Sequence, residues 1–166
     1  MQGFGVDGVF AVTIALIFAQ QLPPATAVMV GGAFLAMRHI GEAFAAPLFG
    51  WIADRFGAQH IFIGSLFLII MGFVSIAGGL TVIGAIVMLV FRGALASLGP
   101  AIIVHSITVD DPAIAPLARM QAWRDLGAAF GPLVTGFALT IFSAETQHAM
   151  VAVVLFGGLL FWLRTR

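Results

Sequence analysis

The stretch IFIGSLFLIIMGFVSIAGG, residues Ile61–Gly79, decides what kind of protein this is. It has no charged side chain, and at roughly 20 residues it is long enough to cross a bilayer as a helix. A strand in lipid would leave backbone groups unpaired, and the run shows no two-residue alternation, which excludes a β-barrel. The stretch therefore predicts a transmembrane helix.

The composition of the whole chain agrees with that prediction. Of its 166 residues, 61% are hydrophobic and 8% are charged, whereas soluble domains carry about 25% charge. The absence of Cys excludes disulfides, cysteine metal sites and a thiol nucleophile. The formal net charge is zero, so we expect no nucleic-acid partner. Since no phosphate-binding glycine loop or protease constellation is evident, we expect neither an enzyme nor a cofactor or metal.

Five more apolar runs surround the first, and they predict an all-α polytopic bundle over residues 1–166. The Pro23-Pro24 pair interrupts the chain after the first run, because consecutive prolines cannot continue a helix. The polar segment at about 106–122 is the longest predicted break. The six predicted spans are about 4–20, 25–53, 61–79, 82–105, 123–142 and 148–163.

Arginine placement predicts the orientation of the bundle. The orienting arginines fall on one side of a six-helix serpentine, and the opposite loops contain neither Arg nor Lys. Positive charge marks the cytoplasmic side, so both termini and the loops at about 54–60 and 106–122 are expected there. We expect integration into the lipid bilayer of a bacterial inner membrane. The orienting arginines are Arg55, Arg119, Arg124, Arg164 and Arg166.

The sequence GWIADRFG closes the second predicted span. Gly57 suits a tight turn because glycine tolerates positive φ. Asp54 favours the positive N-terminal end of the next helix. Arg55 is a cytoplasmic anchor, and Gly50 allows another helix to approach closely. From the residues alone, a charged turn that caps a helix and a conformational gate stay open as alternatives.

The pattern Gly50-x-x-x-Asp54-Arg55-x-Gly57 resembles the loop signature of the major facilitator superfamily, although the basic residues that usually follow are missing. A second stretch, GAAFGPLVTG at residues 127–136, is similar to the glycine-proline signature in helix 5 of a half of that family. Arg92, deep in the fourth span, is a weaker match. The helix-5 positions are Gly127, Gly131, Pro132, Thr135 and Gly136.

The resemblance implies one six-helix half of a transporter, built from two inverted three-helix repeats. It implies alternating access for a small-molecule solute, with the 50–57 loop as gate and the kinked helix 5 as pivot or packing surface. The start near the first span and the end after the last suggest a carboxy-terminal half. The expected partner is a second six-helix half, fused upstream, supplied separately or formed by self-association. The rival interpretation is a non-transporting six-helix fragment or accessory subunit.

Charges inside the predicted spans are the candidate solute and proton residues, because intramembrane charges are costly and persist where they pair or line a cavity. Arg38 and Glu42 are four residues apart on one helix face and can pair. Together with Arg92 they form the predicted pathway, with Glu42 as proton carrier. A buried structural ion pair stays open as the alternative. His39 is expected to be a polar packing residue.

The remaining ionisable residues in or near the spans are assigned simpler places. Asp7, His105 and His148 are expected at the membrane interface, and Glu145 in a solvated loop.

Overall fold

The computed structural model describes residues 3–106 and 114–165, and every regular element in them is helical. The predicted all-helical class is therefore confirmed for the described residues. A π-helical segment, Gly3–Val9, opens the chain and continues directly into α1. The α-helices are α1 (Phe10–Gln21), α2 (Pro24–Phe56), α3 (Ala58–Ala77), α4 (Thr81–Ser106), α5 (Ile114–Ala138) and α6 (Ala144–Arg164).

Within residues 3–106 and 114–165, four helical stretches are long and apolar enough to cross a membrane, which supports the prediction of a membrane protein. The predicted number was six. Helices α2 and α5 are long enough but are not sufficiently apolar, because polar and charged side chains interrupt them. The four stretches are Gly3–Gln20, Ala58–Ala77, Thr81–Ser106 and Ala144–Arg164.

The predicted loop at 54–60 is a corner formed by one residue. Helix α2 continues to Phe56 and α3 begins at Ala58, so Asp54 and Arg55 lie in the last turn of α2. Gly57 makes the corner with φ 88° and ψ 124°, the positive φ expected of a glycine there. The sharp turn needs no additional loop residues because glycine has no Cβ to clash with the preceding carbonyl.

The second predicted loop, at about 106–122, is also shorter than expected. Helix α5 begins at Ile114, and residues 107–113 lie outside the described part of the chain. Helix α5 ends at Ala138 rather than near residue 142, and α6 begins at Ala144 rather than at 148. The side chain of Ser143 caps α6 by accepting a hydrogen bond from the backbone N–H of Thr146 at 3.3 Å.

The core lies where the N-terminal helix meets α3, α4 and α6. Its fully buried side chains include Phe10, Ile14, Phe73, Met88 and Leu95. The most extensive helix contacts are α3 with α4, the π segment with α5, α2 with α4, and α3 with α6. These large apolar side chains pack the N-terminal helix and α6 together with α3 and α4.

Helices α2 and α5 occupy the outside of this core and leave broad apolar faces open. The buried residues of α5 are Gly131 and Thr135. Phe44 on α2 is 74% exposed and Leu133 on α5 is 70% exposed. The two least apolar helices are therefore also among the least enclosed in the described chain.

Glycines bring the π segment and α5 into backbone contact. A Cβ added to Gly131 would lie 2.6 Å from the Cα of Gly8, and one added to Gly127 would lie 2.7 Å from the backbone nitrogen of Phe4. Only glycine allows this approach, since any side chain would push the two helices apart. The contact places Asp7, which lies between Phe4 and Gly8 in the π segment, against α5.

Candidate functional site

Five charged side chains from four helices meet at one place in the bundle, here called the charge cluster. Asp7 comes from the π segment, Arg38 and Glu42 from α2, Arg92 from α4 and Arg124 from α5. Arg92 is at its centre, because its Nε and Nη2 both lie 2.6 Å from Asp7 Oδ1 and its Nη1 lies 2.7 Å from Glu42 Oε2. One guanidinium thus connects three helices.

The other two arginines of the cluster reach Asp7 from α2 and α5. Arg38 Nη2 donates to Asp7 Oδ1 at 3.0 Å. Arg124 Nε lies 3.4 Å from Asp7 Oδ2, and its Nη2 lies 3.8 Å from Glu42 Oε1. Asp7 therefore contacts all three arginines. Through them it is connected to α2, α4 and α5.

Burial divides the charge cluster into a floor and a rim. The side chains of Asp7 and Arg92 are 4% and 5% exposed, whereas those of Arg38, Arg124 and Glu42 are 17%, 22% and 29% exposed. The Asp7–Arg92 pair is enclosed by protein, and the rim residues face an opening. Burying a charge is costly unless it is paired. The ion pairs of Asp7 and Arg92 offset that cost.

The cluster lies in the middle of its helices. Glu42 precedes the last residue of α2 by fourteen positions, and Arg92 precedes the last residue of α4 by the same number. At 1.5 Å per residue, each is about 21 Å from its helix end. Arg124 is ten positions, or about 15 Å, inside α5. The charges on α2, α4 and α5 are therefore remote from the helix termini, where ionisable groups are ordinarily solvated.

The structure pairs Arg38 and Glu42 with residues of other helices. The spacing allows Arg38 and Glu42 to pair, but Arg38 bonds to Asp7, and Glu42 bonds to Arg92 and Arg124. The sequence spacing puts both on one helix face, and that face meets stronger partners on neighbouring helices. The prediction that Arg38, Glu42 and Arg92 lie together agrees with these contacts.

Asp7 and Arg124 belong to the cluster although the sequence placed them elsewhere. Asp7 was expected at the membrane interface, yet it is buried, because its π segment is packed against α5. Arg124 was taken as a marker of orientation at a helix end, yet α5 begins ten residues before it. Asp7 is a carboxylate inside an apolar run. Such a residue is by default a candidate functional position, and this signal could have identified Asp7.

A second polar contact joins the first and last helices. His148 was also expected at the interface, but it is fully buried against the ring of Phe73. Its Nδ1 lies 2.7 Å from the carbonyl oxygen of Ala144, and its Nε2 lies 3.1 Å from Thr13 Oγ1. The Thr13 hydroxyl is also 2.7 Å from the Val9 carbonyl oxygen. His39 and His105, by contrast, are exposed.

The predicted gating residues are separate from the charge cluster. Asp54, Arg55 and Gly57 are exposed around the α2–α3 corner, and no ion pair involves Asp54 or Arg55 among the residues with described positions. Asp54 and Gly57 line a cavity of about 700 Å³ that extends to His105 at the end of α4. A Cβ at Gly50 would meet no atom within 4 Å. The surface at Gly50 therefore has room for a helix of another chain.

The helix-5 signature residues divide between a packed and an open side. Gly127 and Gly131 contact the π segment, and Pro132 follows directly inside α5. Pro132 cannot donate a backbone hydrogen bond, which weakens the helix at that turn. Gly136 has open space around it. The contact of α5 with the π segment is thus formed by Gly127 and Gly131, and Thr135, one turn beyond Gly131, is also buried.

No group of three or more candidate ligands that could hold a metal ion occurs in residues 3–106 and 114–165. Comparisons of the chain with models of protein families, with curated proteins and with solved structures each returned no match.

Proposed function

We propose that this chain is one six-helix half of a secondary transporter of the major facilitator type, which moves a small solute by alternating access. The observation that carries the proposal is the charge cluster, to which four helices contribute ionic side chains, those of α2, α4 and α5 far from the helix ends. Intramembrane charges with an exposed rim are typical of solute and ion pathways. The four apolar spanning stretches support the membrane setting.

Three of the four most extensive helix contacts fit an arrangement from two inverted repeats, whereas the α3–α4 contact would be related to the slight contact of α6 with the N-terminal helix. Exchange of the first three helices with the last three would relate the α2–α4 contact to the contact of α5 with the N-terminal helix, and both are among the most extensive. The α3–α6 contact would be related to itself. Such repeats place the solute near the bilayer midplane between two halves. The open faces of α2 and α5 fit the second half as a partner.

Glu42 is the proposed proton carrier because it is the more exposed carboxylate of the cluster. Its protonation would weaken the ion pairs with Arg92 and Arg124, which join α2 to α4 and α5. Proton uptake would then loosen the helices that border the proposed partner half. In the proposed orientation both termini are cytoplasmic, in a bacterial inner membrane, with the 50–57 corner as a cytoplasmic gate.

The proposal is tested with the assembled transporter in proteoliposomes loaded with a pH-sensitive dye. A panel of organic acids, sugars and amines is added, and solute-dependent proton movement is recorded with and without a pH gradient. Wild-type protein is expected to respond to at least one solute. Glu42→Gln is expected to abolish the proton movement without changing membrane insertion, since the amide cannot carry the proton.

Glu145→Gln is the matched control, because Glu145 lies at the exposed start of α6, away from the charge cluster. It should transport like wild type. Undiminished pH-dependent transport in Glu42→Gln would eliminate the proton role. Absence of transport for every solute, in a protein shown to be folded and inserted, would favour a non-transporting accessory subunit.

A further inference from the structure

Arg124 is the arginine of the charge cluster with the longest contacts. Its nitrogens lie 3.4 Å from Asp7 and 3.8 Å from Glu42. The contacts of Arg38 and Arg92 with the same carboxylates range from 2.6 to 3.0 Å. Charge-assisted hydrogen bonds favour about 2.7–2.9 Å, so the guanidinium of Arg124 is the one least committed to its present partners.

The charge cluster is short of negative charge. Three guanidinium groups stay protonated in proteins and face two carboxylates, which leaves one positive charge uncompensated if both carboxylates are ionised. Protonation of either carboxylate would increase the excess. In addition, Arg38 Nε is buried without a hydrogen-bond partner among the described residues. A bound anion beside Arg124 would supply the missing charge, whereas Arg38 does not line the cavity there.

The space beside Arg124 can accept more than a simple ion. Arg124 and Trp123 line a cavity of about 190 Å³ between the π segment, α4 and α5. Leu95, Gly99 and Met120 line that cavity and also line an apolar cavity of about 380 Å³ between α3, α4, α5 and α6. The two spaces thus adjoin, and together they reach the size of ordinary small-molecule sites. The guanidinium is at one end and the apolar volume at the other.

We propose that this site binds an organic anion with an apolar body. The carboxylate or similar head group accepts hydrogen bonds from Arg124, and the body lies past Gly99 in the apolar cavity. As a statement about the transported solute, the inference rests on the proposed function. As a statement about binding, it is tested without any transport.

The probe is radiolabelled 4-phenylbutyrate, measured by equilibrium binding to the full chain in phosphatidylcholine nanodiscs. Unlabelled 4-phenylbutyrate is expected to compete, and neutral 4-phenylbutyramide and cationic 4-phenylbutylamine are expected to compete at least about tenfold more weakly, since each lacks the charge-assisted bond. Equal competition by the amide, or no saturable binding of the carboxylate by folded protein, would overturn the proposal.

Arg124→Gln is expected to weaken binding at least about tenfold. This variant leaves two arginines against two carboxylates, and Asp7 and Glu42 each keep another arginine, so folding is expected to persist. Arg119→Gln is the matched control on the same helix, exposed and outside the charge cluster. Equal binding by wild type and Arg124→Gln would contradict the assignment.

Gly99→Leu tests the apolar part separately. The added side chain would project between the two cavities, where a Cβ at Gly99 lies 3.5 Å from Met120 Sδ. It should weaken 4-phenylbutyrate binding while the affinity for acetate is unchanged. Equal loss for both anions would count against placing the body in the apolar cavity.

Competition by lipid distinguishes a membrane lipid from a soluble anion as the ligand. Transport measurements distinguish this inference from the proposed function. Displacement of 4-phenylbutyrate by phosphatidylglycerol in the nanodisc would assign the site to a lipid head group and overturn a soluble solute. Saturable binding with no transport would refute the proposed function and leave the site intact. Transport restricted to neutral or cationic solutes would support the function and overturn the inference.

Discussion

Asp7 and Arg92 are separated by 85 positions in the chain, yet the guanidinium of Arg92 contacts Asp7 Oδ1 through two nitrogens at 2.6 Å. Both side chains are at least 95% buried. The pair joins the first helix to α4, which are the leading helices of the two proposed three-helix repeats. A buried pair of this kind makes each partner depend on the other, because neither charge has water as an alternative.

Asp7→Asn is expected to destabilise the protein by about 3–5 kcal/mol, the usual cost of removing one partner of a buried pair. Three arginines contact Asp7, so the substitution would leave two positive charges uncompensated. Thermal unfolding of the detergent-solubilised protein measures the loss. Asp125→Asn is the control, since Asp125 is exposed on α5. Equal melting temperatures for Asp7→Asn and wild type would refute a stabilising role for Asp7.

Gly131→Leu is expected to separate the π segment from α5 and to cost about 1–3 kcal/mol by overpacking. The backbone of Gly8 occupies the space that the new side chain would need. Gly136→Leu lies five residues further along the same helix with open space around it, and should be tolerated. Melting temperatures of the two variants are compared; similar values would contradict the close backbone contact.

Thr13→Val is expected to cost about 1–3 kcal/mol, since His148 Nε2 would lose its hydrogen-bond partner in a buried place. Valine has nearly the shape of threonine, so packing should change little. Thr140→Val is the control, because the Thr140 hydroxyl is exposed at the end of α5. Chemical denaturation followed by tryptophan fluorescence reports the difference; if both variants behave alike, the Thr13–His148 contact adds no stability.

Single-cysteine cross-linking tests the proposed partner half, and the chain has no native Cys to interfere. Leu133→Cys on the open face of α5 is expected to form a cross-link with a second half in native membranes. Phe161→Cys on α6 is similarly exposed, at 71% against 70%, and serves as the lipid-facing control. More efficient cross-linking at residue 161 than at residue 133 would place the partner against α6 and contradict the proposed contact with α5.

Helix existence was predictable because long apolar runs are a strong local signal, but helix ends were less so. The DRFGAQH segment looked like a loop because its residues are polar, whereas Gly57 alone turns the chain. Ser143 is a favoured N-cap residue, and the acidic Glu145 follows in the first turn; these two signals could have placed the start of α6 correctly. The predicted bilayer span count was six, and four stretches meet the length and apolarity of a span.

The sequence by itself determined the helical class, the membrane character and the presence of charges inside long apolar runs, because these depend on run length and composition. Only the tertiary structure decided which charges meet. Asp7 and Arg124 join Arg38, Glu42 and Arg92 since the glycines at 8, 127 and 131 bring two backbones together. The glycine spacing in α5 predicts a close helix approach but not which helix approaches, so the partners of the charges follow from packing alone.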